Sequence, residues 1–165
     1  MKSTNYLTMT EKELKISYAE YNSIENLNEE DALLVREAID AMKASFSPYS
    51  HFKVGAAVRL ASGTIVKGAN QENAAFPSGL CAERSAMFAA ASQYPAEAMR
   101  AIAVVGGQDG VIADIPVSPC GACRQVMAQY QRNAGESMRV ILIGAAKIWV
   151  FEDVSCILPF IFDNI

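Results

Sequence analysis

The sequence predicts an α/β fold: a three-layer sandwich in which helices cover a mixed central sheet of about five strands. Three observations carry this. Apolar strand-like runs recur along the chain ("KVGAAVRL", "TIVKGAN", "RAIAVVGG", "MRVILIG", "KIWVFED"), and amphipathic helical stretches fall between several of them. The chain of 165 residues is also long enough for one domain with a real core.

Taken in order, residues 1–27 read as an N-terminal extension of unassigned role, appended to a domain over 28–165. Within the extension, residues 12–21 alternate Leu14, Ile16 and Tyr18 and suggest an extra strand. "NEEDALLVREAIDAMKAS" is a helix with Asn28 as its cap, acids in its first turn and an apolar face through Leu34, Ala38, Ile39 and Met42. Pro48 stops it, because proline disfavours helix at the preceding Ser47. "KVGAAVRL" and "TIVKGAN" flank "ASG" and form a hairpin. A loop through Pro77 and Gly79 leads to a helix over about 81–93. "RAIAVVGG" is a buried strand, "CGACRQVMAQYQRN" a third helix, and two further strands follow before a short turn in "SCILPF". No internal repeat or low-complexity tract interrupts this order.

Hydrophobic residues make up 52% of the chain, yet no apolar run approaches the roughly 20 residues that span a bilayer. The opening "MKSTNYLTMTEKELK" has no apolar leader region, so a cytoplasmic protein is expected. A net charge of -4, with 14 scattered Lys and Arg, argues against nucleic acid and for a small-molecule partner.

The chemistry concentrates in the cysteines. Cys120 and Cys123 lie three apart at a helix start, and Cys81 opens another helix. Unpaired amides and the positive end of a helix dipole stabilise thiolates. Three converging thiolates are a soft set suited to tetrahedral zinc, with a fourth position left for water. Glu83, two residues past Cys81, is close enough to carry a proton to and from that water. Arg84 can offset the excess negative charge by donating to thiolate sulfur. Plainer readings stand beside these: a structural zinc site completed by another ligand, disulfides, or a Glu83 that merely favours the dipole. Cys156 reads as a small buried hydrophobe, His51 as a loop residue, and "VVGGQDG" opens no phosphate loop.

C-A-E followed by P-C-x-x-C resembles the signature of zinc nucleobase deaminases. "SPYSHFKVGAAV", "GANQENAAF" and "LPFIF" extend the resemblance to the small homotetrameric cytidine deaminases, over residues 29–162. The resemblance implies one zinc per subunit on Cys81, Cys120 and Cys123, with Glu83 as proton shuttle. Water activated by zinc would attack C4 of cytidine or deoxycytidine, with Glu83 protonating N3 and then the departing ammonia, an activity of pyrimidine salvage. It implies that Asn70 and Glu72 bind the ribose 3′-hydroxyl, and that Phe52 packs on the pyrimidine. The Ala82 amide would donate to the base O2, the Ser118 carbonyl would accept from the amino group, and Phe162 would enter a neighbouring subunit's site. Phe52 and Phe162 taken singly read as core, and Asn70 with Glu72 as a solvated loop. Two other functions compete: a related deaminase acting on a polynucleotide, nucleotide or other cytosine compound, and a non-catalytic zinc-stabilised protein.

Overall fold

A six-stranded sheet forms the middle layer of the computed structural model, which describes residues 9–163. The expectations for residues 1–8 and 164–165 lie outside the described residues. The elements run β1 (Ala19–Tyr21), α1 (Glu29–Ala41), β2 (Phe52–Leu60), β3 (Ile65–Ala69), α2 (Ala82–Gln93), β4 (Met99–Gln108), α3 (Gly121–Ala134), β5 (Arg139–Ile143) and β6 (Ile148–Phe151). The spatial order is β1-β6-β5-β4-β2-β3. The three-layer α/β prediction is borne out, with one strand more than the five counted in the core.

That added strand lies in the segment ahead of α1. The alternation over 12–21 yields a ladder only at Ala19–Tyr21, which pairs antiparallel with Ile148–Val150 of β6. β6 ends at Phe151, which the register sets opposite Tyr18, so residues before Tyr18 meet no further partner on it. Tyr18 lays its ring over Phe151 and Trp149, at centroid distances of 5.2 and 5.7 Å.

Asn28 caps α1 as predicted, its side-chain oxygen accepting from the Asp31 amide at 2.8 Å. Leu34, Val35 and Ala38, with Met42 just past the helix end, pack α1 on one face of the sheet against Ala57, Ala103, Val105 and Ile141. Ala82, Ala86, Met87 and Ala90 of α2, with Cys123 and Met127 of α3, cover the other face against Ala56, Val58, Ile102 and Val104. β4 is therefore buried on both sides, which is why its sequence reads as an unbroken apolar run.

Topology then places the helix starts. β3 and β4 are each antiparallel to β2, so they run in the same direction, and β4 is parallel to β5. α2 follows β3 and α3 follows β4 on the same face, so both helices begin at the carboxyl end of like-directed strands. Ligand sites in open α/β sheets collect at such ends. Among the described residues, no helix is long and apolar enough to cross a membrane.

Candidate metal centre and pocket

Cys81 is the N-cap of α2 and Cys120 the N-cap of α3, both in extended backbone (ψ 152° and 163°). Neither side chain caps its own helix, which leaves both sulfurs free to point elsewhere. They point at each other. The Cys81 and Cys120 sulfurs are 3.9 Å apart, those of Cys120 and Cys123 3.5 Å, and all three lie within 4.8 Å of one another. Zinc–sulfur bonds of about 2.3 Å at tetrahedral angles require sulfurs about 3.8 Å apart, close to the 3.9 and 3.5 Å spacings here, so the cluster suits a zinc ion. Cys123 is buried, Cys81 half-buried and Cys120 exposed, so the cluster opens to one side. Cys156 is half-buried among residues packed on the core.

The surrounding groups favour a thiolate. Contact with Cys123, supported by Arg84, draws the Cys81 thiol down to about 5, while the same contact pushes Cys123 up. The Arg84 guanidinium donates to the Cys81 sulfur at 3.6 Å, as the sequence predicted. Glu83 lies in the first turn of α2 and is only 4% exposed, and its burial raises the carboxyl above its ordinary range.

A pocket of about 180 Å³ opens beside the cluster, walled by Phe52, Val54, Asn70, Cys81, Ala82, Glu83, Val104, Val117, Ser118 and Cys120. Seven sequence-predicted residues thus share one small cavity, of a size suited to a single ring. The Ala82 amide is the first of α2 and has no carbonyl partner within the helix, so it can serve a ligand. A second, larger pocket of about 620 Å³ shares Asn70 and Cys81 with the first and adds Glu72, Tyr49, Phe76 and Arg84.

Asn70 and Glu72 are held more firmly than a solvated loop requires. The Asn70 side chain accepts from the Val54 amide at 2.8 Å and the Ser45 hydroxyl at 2.5 Å, and donates to the Phe52 carbonyl at 2.9 Å. One of its N–H groups remains for a ligand. Glu72 accepts from the amides of Tyr49 (2.9 Å) and Ser50 (3.2 Å) and from the Ser50 hydroxyl. That hydroxyl bond above all holds its carboxyl below the usual range. Phe162 lies apart from both pockets and is 68% exposed.

Residues 28–135 match the family described as the cytidine and deoxycytidylate deaminase zinc-binding region. The chain belongs to this family. It is 46% identical over 97 residues to a cytidine deaminase of Halalkalibacterium halodurans, a match covering 59% of this chain and 69% of the relative. The fold superposes on a cytidine deaminase crystal structure from Burkholderia pseudomallei with a TM-score of 0.69 at 37% identity, over 79% of this chain and 97% of that one. A Mycobacterium tuberculosis cytidine deaminase gives a TM-score of 0.62 at 30% identity, over 79% and 95%. The deaminase family's zinc-binding region therefore covers all three cysteines of the cluster.

Sequence reasoning missed the polar brackets of this deaminase site: Ser45 on Asn70, and Tyr49 with Ser50 on Glu72. The serines of "SFSPYS" were the available signal, since serine in a turn bonds readily to nearby groups. It also missed Val54 and Val117 as pocket walls, for which the sequence offers no signal beyond apolarity.

Proposed function

We propose that the protein hydrolytically deaminates cytidine and deoxycytidine to uridine and deoxyuridine, releasing ammonia. The observation that carries this is the meeting of three thiols and one buried carboxylate at the mouth of a ring-sized pocket. When bound at Cys81, Cys120 and Cys123, zinc supplies a nucleophile at neutral pH by acidifying water. Glu83 carries two protons in turn, the first from the attacking water to N3 of the base. The second goes from the new C4 hydroxyl to the amino group, so that the C4–N bond breaks, ammonia departs and C4 becomes a carbonyl. The Ala82 amide donates to the base O2, and the Ser118 carbonyl receives the amino group, so cytosine is read on both edges. Phe52 lies against the ring. The remaining N–H of Asn70 and the remaining lone pair of Glu72 hold the ribose 3′-hydroxyl.

In this reading residues 28–165 are the catalytic domain and 1–27 an extension. The enzyme works in the cytoplasm, in pyrimidine salvage, as a homotetramer whose pockets are each completed by Phe162 of a neighbouring copy. A carboxylate at Glu72 repels a 3′-phosphate, which disfavours nucleotides and strands as substrates. The test is an ultraviolet absorbance assay with purified protein on cytidine, deoxycytidine, deoxycytidine 3′-phosphate and a cytosine-containing single strand. Turnover is expected for the two nucleosides and at least about a hundredfold less for the other two, the scale of an unpaired buried polar group. Comparable rates on the strand would replace this reading with the polynucleotide one. No turnover of any of the four by zinc-loaded protein would leave the non-catalytic reading.

A further inference from the structure

α3 opens with a positive charge where a helix disfavours one. Arg124 sits in the first turn, its amide donating to the Cys120 carbonyl at 3.0 Å, and that turn holds no acid. The positive end of the helix dipole opposes a cation there, unless carbonyl oxygens receive it. Two do. Arg124 Nε donates to the Pro119 carbonyl at 2.8 Å, and Nη1 donates to the Ile157 carbonyl at 2.9 Å. Pro119 is buried between Ser118 and Cys120, and Ile157 begins the C-terminal tail. The next residue repeats the connection. Gln125 donates to the Phe162 carbonyl at 2.7 Å and accepts from the Phe162 amide at 3.1 Å, so one carboxamide grips both backbone groups. The phenyl ring is left projecting.

We propose that Arg124 and Gln125 are positioning residues that tie the 118–120 turn and the C-terminal tail into one unit. Arg124 holds the carbonyl immediately before the exposed cysteine of the cluster, and Gln125 sets the direction in which Phe162 is presented. The destination of Phe162 in a neighbouring copy rests on the proposed function, whereas the tie itself rests on the four bonds just described. The residue types suit the task. A guanidinium offers two N–H directions from a rigid fork and can span two carbonyls from different segments, which a lysine ammonium on a flexible stem does poorly. A carboxamide presents its donor and its acceptor on two separate atoms, which suits it to the N–H and C=O of a single residue.

The test compares wild type with Arg124→Lys, Arg124→Gln and Gln125→Ala, all zinc-loaded. Four quantities are read: zinc transfer to a chromogenic chelator, the thermal midpoint, the oligomeric state by light scattering, and KM and kcat for cytidine. Both Arg124 variants should release zinc about tenfold faster, because the turn carrying Cys120 loses its anchor. Arg124→Lys keeps the charge and the stem, so it decides the point even where Arg124→Gln does not fold. Gln125→Ala should leave zinc release at the wild-type rate while raising KM about fivefold and shifting light scattering toward smaller species. Lowered thermal midpoints with zinc release and KM unchanged would reduce both residues to packing and overturn the proposal. Wild-type assembly and KM in Gln125→Ala would overturn its part. A wild-type protein inactive on cytidine would remove the proposed function alone, since zinc release and light scattering would still decide the tie.

Discussion

A carboxylate that is 4% exposed and lies two residues from a thiol of the three-cysteine cluster is expensive to bury, and Glu83 is such a group. A structural acid at a helix start either faces water and favours the dipole, as Glu29 and Glu30 of α1 do, or is paired when buried, as Asp31 is with Arg59 at 3.2 Å and Arg139 at 3.0 Å. Glu83 instead faces the pocket that Ser118 and the Ala82 amide also line. Replacing it with glutamine keeps shape and hydrogen bonding but removes the exchangeable proton. Glu83→Gln should therefore retain zinc and the thermal midpoint while losing at least about a thousandfold in kcat for cytidine. Metal analysis and a steady-state assay on one preparation check both halves. A near wild-type rate would assign the proton to another residue.

At the scale of elements, the site depends on how closely α2 approaches β3. Gly68 of β3 faces the α2 backbone, and a Cβ there would collide with the Ala86 amide and come within 2.7 Å of the Ala82 carbonyl. Neither obstacle is a flexible side chain, so the helix itself must move. Gly68→Ala should destabilise the fold by about 1–3 kcal/mol, lowering the thermal midpoint by roughly 2–10 °C. Because α2 carries Cys81 and Glu83, activity should fall at temperatures where the protein is still folded. Differential scanning calorimetry with an assay at 25 °C checks this, and an unchanged midpoint would refute the close approach. An isolated glycine inside a strand was a readable signal of such contact. What made α1, the hairpin and the cysteine helices legible was local: the Asn28 cap, the 3.6-residue apolar period, and Cys-x-x-C at a helix start. The length of β1 was not legible, because it is set by β6, more than a hundred residues away. The brackets on Asn70 and Glu72 likewise come from Ser45, Tyr49 and Ser50, which only the fold brings alongside.

For the whole molecule, the two ends of the chain behave differently. Ahead of α1 the chain turns inward: β1 covers the open edge of β6, and Glu20 accepts from Lys147 at 2.6 Å and from the Trp149 indole at 2.9 Å. Covering a sheet edge removes a template for unwanted pairing. The C-terminal tail is divided. Ile157, Leu158 and Ile161 pack against the subunit's own core, whereas Phe160 is 86% and Phe162 68% exposed. The rim of the larger pocket shows a matching surface in Tyr49 and Phe76, whose rings meet edge to face at 5.8 Å and stand in solvent. Exposed aromatic groups beside a pocket and on a tail are what an interface between copies would cover. Truncation before Pro159 removes both exposed phenylalanines but spares Leu158, Ile157 and the carbonyl that Arg124 holds. The truncated protein should keep its zinc, appear smaller by light scattering, and show a KM for cytidine raised at least about tenfold, as for loss of an aromatic anchor. A fully active monomer would mean that each pocket is complete within one chain.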